Sequence, residues 1–299
     1  HDVVREMCVW LTGVEYDKNN TFSLMNWRVA KRISLMNCVL NKGQLRNVIS
    51  CPNLQTLLCC STPLFEIQQG FFKSMPRLRV LDLSYTRLAS LPDEISFLEE
   101  LRYLNLQARD ISSLPEGMAK LANLRHLNLD VTRSLSYIPP VVIPTLTGLQ
   151  ALSLYDSDYD FVGLNVLSGG LLDDNSAIQR EGTSSPSSPP PTRSSWDKLE
   201  ELRLSVRTLS SLLTLLKSDE MCQHTMALKI DARIAPDITP EHLSTAFQRL
   251  ENLRSLDVDV TEVEFKRGIK CWSSLEKLYL NFIKIIAVDE ITSPPLFGS

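Results

Sequence analysis

Three arginines, Arg79, Arg102 and Arg125, stand 23 residues apart, each directly after a leucine in a repeated Leu-Arg-x-Leu. Arginine and tyrosine are the residue types that most often carry binding energy at protein interfaces. A column of three arginines therefore suits an acidic partner surface. Beside them in sequence lie Tyr103, Asn105, His126, Asn128 and Asp130, and further on Tyr155 and Asp156. Catalytic chemistry has little to stand on. His126, His224 and His242 are scattered, with no H-E-x-x-H and no metal-ligand spacing. No G-x-S-x-G or G-x-x-x-x-G-K-[ST] occurs. The carboxylate pairs Asp173-Asp174 and Glu99-Glu100 read as solvated surface, the second on the convex side of its repeat. Recognition is thus the chemistry to expect, and an enzyme ranks last.

What must position these residues is a repeated leucine pattern. Leu78, Leu81 and Leu83 are followed by Leu101, Leu104 and Leu106 and then by Leu124, Leu127 and Leu129, at a constant period of 23. A head of L-x-x-L-x-L repeating every ~20–29 residues signals leucine-rich repeats. In Leu81-Asp82-Leu83 the period of two sends both leucines to one face of a short strand and Asp82 to the other. Thr86 holds the place where the turn needs a side chain able to satisfy backbone groups. Leu88, Leu91, Ile95 and Leu98 return to the core, and Pro92 stops the ladder. Looser matches extend the series to Ala30, Leu54, Leu149, Leu199, Thr225, Leu253 and Leu275, for about ten strands, the Thr225 unit being the weakest. One repeat cannot bury its leucines alone, so neighbours must stack. The fold class is α/β, a solenoid with a parallel sheet on its concave side. Stacking would align Lys31, Gln55, Arg79, Arg102, Arg125, Gln150, Glu200, Met226, Arg254 and Glu276 in one column, basic in its N-terminal half. The structural alternative is that L-R-x-L is ordinary repeat consensus, the arginine stems lying over neighbouring strands.

Composition sets the bounds. Thirty-five acidic against 31 basic residues, a net charge of −4, argues against a nucleic-acid or anionic-membrane binder. Seven cysteines, without a C-x-x-C pair, fit a reducing compartment. Cys59 fits a core position and Cys60 faces outward. No apolar run approaches the ~18–20 residues of a membrane span. The segment HDVVREMCVWLTG at the start reads as a helix with Asp2 as its cap, followed by a polar loop from Glu15 to Met25. Pro186, Pro189, Pro190 and Pro191 lie among serines, so about 165–195 reads as a disordered insertion thrown out from the solenoid. The first residue is His1, not Met, and the chain is expected to be a fragment.

The opening HDVVREM resembles the end of the MHD motif of plant nucleotide-binding leucine-rich-repeat immune receptors of the coiled-coil class. The block GFFKSMPRLRVLDLSYTRLASLPDEISFLEELRYLNL resembles the first strong repeats of that class. The resemblance implies that residues 1–25 end the nucleotide-binding module and 26–299 form the leucine-rich-repeat domain. It implies that His1 sits beside the phosphates of ADP in the full receptor, with Asp2 positioning the motif and ADP or ATP as cofactor there; this segment alone is expected to hold no cofactor or metal. The implied partners of Arg79, Arg102, Tyr103, Asn105, Arg125, His126, Asn128, Asp130, Tyr155 and Asp156 are the receptor's own nucleotide-binding module and a pathogen effector or guarded host protein, with no nucleic acid among them. The implied location is the cytoplasm or the inner face of the plasma membrane, with oligomerisation of the full receptor on activation. The family pattern is departed from in the missing Met before His1, the Ser/Pro insertion and the ending ITSPPLFGS. The rival readings are a generic cytosolic repeat scaffold, such as a ubiquitin-ligase substrate adaptor or small-GTPase regulator, and an extracellular ectodomain. The second lacks its G-x-I-P signature and paired-cysteine caps.

Overall fold

In the computed structural model, residues 28–36, 50–161, 198–231, 235–259, 262–265, 273–281 and 284–288 are described. The expected opening helix with His1 and Asp2, the 1–25 module end and the insertion at about 165–195 lie outside the described residues.

The leucine pattern yields strands β1 (Arg32–Ser34), β2 (Thr56–Leu58), β3 (Val80–Asp82), β4 (Tyr103–Asn105), β5 (His126–Asn128) and β6 (Ala151–Ser153). It continues in β7 (Glu201–Val206), β8 (Thr225–Asp231), β9 (Ser255–Asp259) and, after β10 (Glu262–Phe265), in β11 (Lys277–Asn281). The first nine and β11 form one ten-stranded sheet in chain order, every pair parallel. These are the ten strands expected from the leucines. A second, two-stranded parallel sheet joins β10 to β12 (Lys284–Val288).

The register explains the core. Leu57, Leu81, Leu104, Leu127, Leu152 and Leu202 pair in succession across β2 to β7, and all are buried. Each contributes roughly 1.5–3 kcal/mol relative to exposure. Between β7 and β8 the ladder bulges at Leu202 and Arg203, so that Leu204, not Leu202, pairs with Leu228. This corrects the alignment expected from the motif, which set Leu228 beside Leu202. A two-residue slip leaves the same side chains on the core face, and Leu204, Leu228, Leu256 and Val258 are all fully buried.

Behind the sheet, the N-terminal repeats return through 3-10 turns at Phe72–Ser74, Asp93–Phe97 and Glu116–Lys120. The C-terminal repeats use α-helices instead: after α1 (Val142–Thr145) come α2 (Leu209–Lys217), α3 (Asp219–His224) and α4 (Pro240–Arg249). Their caps are local. Thr208 Oγ1 accepts from Ser211 N–H at 3.1 Å and Ser218 Oγ from Met221 N–H at 3.2 Å. Pro240 begins α4, and His242 Nδ1 accepts from Thr239 N–H at 3.1 Å, so this histidine is a helix cap.

The turn after each strand is equally specific. Thr86 Oγ1 donates to Leu83 O at 2.7 Å and Thr132 Oγ1 to Leu129 O at 2.6 Å, both hydroxyls buried. The residue before each, Tyr85 and Val131, has φ of 55° and 59° respectively, as do Ser61 at 56° and Asp156 at 57° in equivalent positions. Cys59 is buried and Cys60 half-buried, and neither is in a disulfide.

Candidate recognition surface on the open face of the sheet

Leucines pin one face of each strand to the core, so the intervening residues face away from it. The residue just before each strand forms a continuous backbone ladder: the N–H of Gln55 donates to Lys31 O, Arg79 to Gln55, Arg102 to Arg79, Arg125 to Arg102, Gln150 to Arg125 and Glu200 to Gln150, at 2.7–2.8 Å. The column read from the leucine spacing is therefore built into the main chain as far as Glu200. It resumes at Met226, whose carbonyl accepts from Arg254 N–H, and runs to Glu276.

The three arginines are not equivalent. Arg79 grips Glu100 Oε2 through Nε at 3.0 Å and Nη2 at 2.9 Å. Glu100 thus lies against the strand-entry column, not on the convex side where it was expected. It begins the repeat that carries Arg102, one residue before Leu101, and this brings it level with the arginine of the preceding strand. Arg102 and Arg125 are exposed, and among the described residues neither forms an ion pair.

Next to these lie Tyr103 and His126, paired across β4 and β5 with ring centroids 6.2 Å apart. Burial, then the nearby Asp82, pushes the Tyr103 hydroxyl above its usual pKa, so it stays a neutral donor. Asn105 and Asn128 pair in the following row, and each turns its Oδ1 back onto its own chain, accepting from Gln107 N–H at 3.2 Å and Asp130 N–H at 2.8 Å. Asp82 does the same for Ser84 N–H at 2.8 Å. These three side chains shape the strand exits; Asn105 is buried and Asn128 half-buried.

Asp130, Tyr155 and Asp156 belong to a second cluster. Asp130 Oδ1 accepts from Ser153 Oγ and from Tyr155 N–H, the latter at 2.9 Å. Burial raises its carboxyl pKa, with the Ser153 bond and Arg203 charge opposing. The Tyr155 ring carries the Arg203 guanidinium 5.3 Å from its centroid, and its hydroxyl donates to Asp257 Oδ2 at 3.4 Å, three strands away on β9. Burial and the Asp257 carboxylate push that hydroxyl far up. Asp156 receives Lys229 Nζ at 2.6 Å and Arg133 Nη2 at 2.7 Å and donates its N–H to Ser205 Oγ. Burial alone would raise its carboxyl, but Lys229 and Arg133 outweigh it and hold it low. Arg207 pairs with Asp158 beside them, and together they line a cavity of about 320 Å³. Its charges are mutually compensated, unlike those of Arg102 and Arg125.

The structure therefore brings Arg102, Tyr103, Arg125, His126 and Asn128 into one surface, leaves Asn105 buried beside them rather than on it, and assigns Asp130, Tyr155 and Asp156 to an adjoining network. The partners Arg133, Arg203, Ser205, Lys229 and Asp257 were not singled out by sequence. Arg203 is legible in hindsight, since it follows the central leucine of its strand as Asn105 and Asn128 do; Lys229 and Asp257 are displaced by the register step after Leu202. Among the described residues no group of three or more His, Cys, Asp or Glu is placed to hold a metal ion.

Residues 53–167 match the family model described as a leucine-rich repeat region. The chain is 41% identical over 112 residues to the probable disease resistance protein At1g12290 of Arabidopsis thaliana, a match covering 33% of this chain and 12% of that protein. It is 38% identical over 114 residues to the disease resistance protein RFL1 of the same plant, covering 33% and 12%. The matched stretch thus spans about an eighth of these relatives. Among solved structures, the plant peptide hormone receptor RGFR1 in complex with RGF2 is similar at 17% identity, over 76% of this chain and 32% of that one, with a TM-score of 0.44.

Proposed function

We propose that this chain, a leucine-rich-repeat protein related to plant disease-resistance proteins, is the recognition region of an immune receptor of the nucleotide-binding, coiled-coil class. Its N-terminal repeats hold the receptor's own nucleotide-binding module in the resting state, and its repeats recognise a pathogen effector or a host protein that an effector modifies. The observation that carries this reading is the pair Arg102 and Arg125. They are exposed, without acidic partners among the described residues, and fixed in register by the backbone ladder beside Tyr103 and His126. Two charges held side by side on rigid strands lose little freedom on binding, which favours complementary pairing with an acidic surface. In the same reading, His1 and Asp2 contact ADP in the full receptor, which works in the cytoplasm or at the inner face of the plasma membrane and oligomerises on activation.

Control then takes the form of a population shift. Contacts that exist only in the closed form favour it, and a ligand that binds the open form better reverses the balance. The test is the double substitution Arg102→Glu and Arg125→Glu in the full receptor, scored by cell death in leaf tissue with and without the trigger. The expected result is altered resting activity. Normal resting and triggered responses together would sink the inhibitory role.

A further inference from the structure

The fourth repeat breaks a rule its neighbours keep. After strands β2, β3 and β5 the chain places Ser61, Tyr85 and Val131 in left-handed backbone, and each donates its N–H to the next repeat, to Ser84 O, Gln107 O and Tyr155 O. A buried threonine follows each time: Thr62, Thr86 and Thr132. The fourth repeat has Ala108 and Arg109 at these two places. Ala108 is fully buried and its N–H turns back to Leu106 O at 2.6 Å, so the fourth repeat carries only a small buried side chain at the place that Tyr85 and Val131 hold in their repeats.

The result is a notch of about 480 Å³ at the exit ends of the strands, walled by Tyr85 and Val131 and lined by Arg87, Gln107, Arg109 and Asp110. Because every strand of the sheet is parallel, this edge is opposite the one that carries Arg102 and Arg125. Arg87 and Arg109 are both exposed, and among the described residues neither forms an ion pair. The Arg87 guanidinium lies 6.0 Å from the centroid of Phe65, which is 60% exposed, while Tyr85 is 62% exposed.

The choice of residues at the walls is the second observation. Left-handed backbone is tolerated by Asp and Asn, as at Asp156, whereas a β-branched or bulky side chain there is an outlier. Tyr85 and Val131 keep bulky side chains in that conformation on the two sides of the notch and nowhere else in the described repeats. Local strain of this kind persists where the surroundings over-determine it, and it concentrates at binding sites.

We infer that this notch is a second docking site, for a partner protein segment that presents a carboxylate next to an apolar side chain. Two guanidiniums against the single Asp110 leave the site one positive charge in excess, which a carboxylate compensates with forked hydrogen bonds. The Tyr85 ring and Val131 cover the neighbouring apolar group, and Gln107 offers both a donor and an acceptor to the segment's backbone. The site is distinct from the Arg102 and Arg125 surface, and its occupant need not be the same molecule.

The test is selection of a random dodecapeptide display library on the full chain, followed by titration of the enriched peptides. Enriched sequences are expected to carry Asp or Glu beside Leu, Ile, Phe, Tyr or Trp. Arg87→Glu with Arg109→Glu should weaken them about tenfold or more, and Arg102→Glu with Arg125→Glu should leave them unchanged. Val131→Asn, suited to left-handed backbone, should weaken binding without lowering the melting temperature, which separates loss of the site from loss of the fold. No enrichment, enrichment without the acidic-apolar pair, binding that survives the Arg87 and Arg109 reversal, or binding that depends on Arg102 and Arg125 instead would overturn the inference.

Discussion

Two carboxylates 26 positions apart in sequence illustrate how environment assigns opposite behaviour to one residue type. Asp156 is gripped by Lys229 and Arg133, and Asp130 by a serine and a backbone N–H with burial dominating. For Asp156 the folded pKa lies below the unfolded value of about 3.9. Its contribution to stability is therefore present above that value and is lost as pH falls through the folded one. Asp156→Asn should destabilise at neutral pH, with the deficit vanishing in acid. For Asp130 the folded pKa is raised, so ionisation is opposed by the fold and stability declines as pH rises through it. Asp130→Asn keeps an acceptor for Ser153 and Tyr155 and should gain on the parent protein as pH rises. Denaturant melts across the pH range read both slopes, and slopes of the same sign for the two variants would contradict these assignments.

Among the elements, stability comes from stacking. Leu104 is fully buried between Leu81 and Leu127, and Leu104→Ala should cost about 2–5 kcal/mol by leaving a cavity. The 3-10 turns behind the sheet pack as closely. A Cβ on Gly117 would stand 2.1 Å from Asp93 O of the preceding turn, whose carboxylate already accepts from Gly117 N–H at 3.2 Å. Gly117→Ala should therefore cost about 1–3 kcal/mol through overpacking, measured by chemical denaturation; an unchanged midpoint would mean that the two turns separate freely. The strands were legible because a period-two leucine pair specifies a face. The helices α2 to α4 were not, because the 23-residue pattern fixes only the strand and its turn. The return segment of each C-terminal repeat depends on caps such as Thr208, Ser218 and Thr239 that lie outside the motif. The step between β7 and β8 escaped for a related reason: a slip of two residues preserves the leucine face and leaves no trace in the pattern.

Across the molecule as a whole, the open side of the sheet divides into an arginine-bearing N-terminal part and a C-terminal part where acids and bases are cross-linked. The division was partly legible. The column from Lys31 to Glu200 followed from spacing alone, and the main-chain hydrogen bonds place those residues side by side. Glu100's grip on Arg79 was hidden, because it depends on a residue of one repeat coming level with its neighbour's strand entry. The Tyr155 bridge to Asp257 was hidden more deeply, since no local pattern announces a contact 102 positions apart.

On the proposed function, Arg102 and Arg125 form a charged clamp for the receptor's own nucleotide-binding module. Titration of this chain with the separately purified module reaches that clamp without intervening steps, at low and high salt, for the parent protein, Arg79→Glu, and Arg102→Glu with Arg125→Glu. Binding should weaken with salt, with little loss for Arg79→Glu because Glu100 already occupies that guanidinium, and with a loss of about tenfold or more for the double reversal. Equal affinity across the three proteins, or binding indifferent to salt, would contradict the clamp.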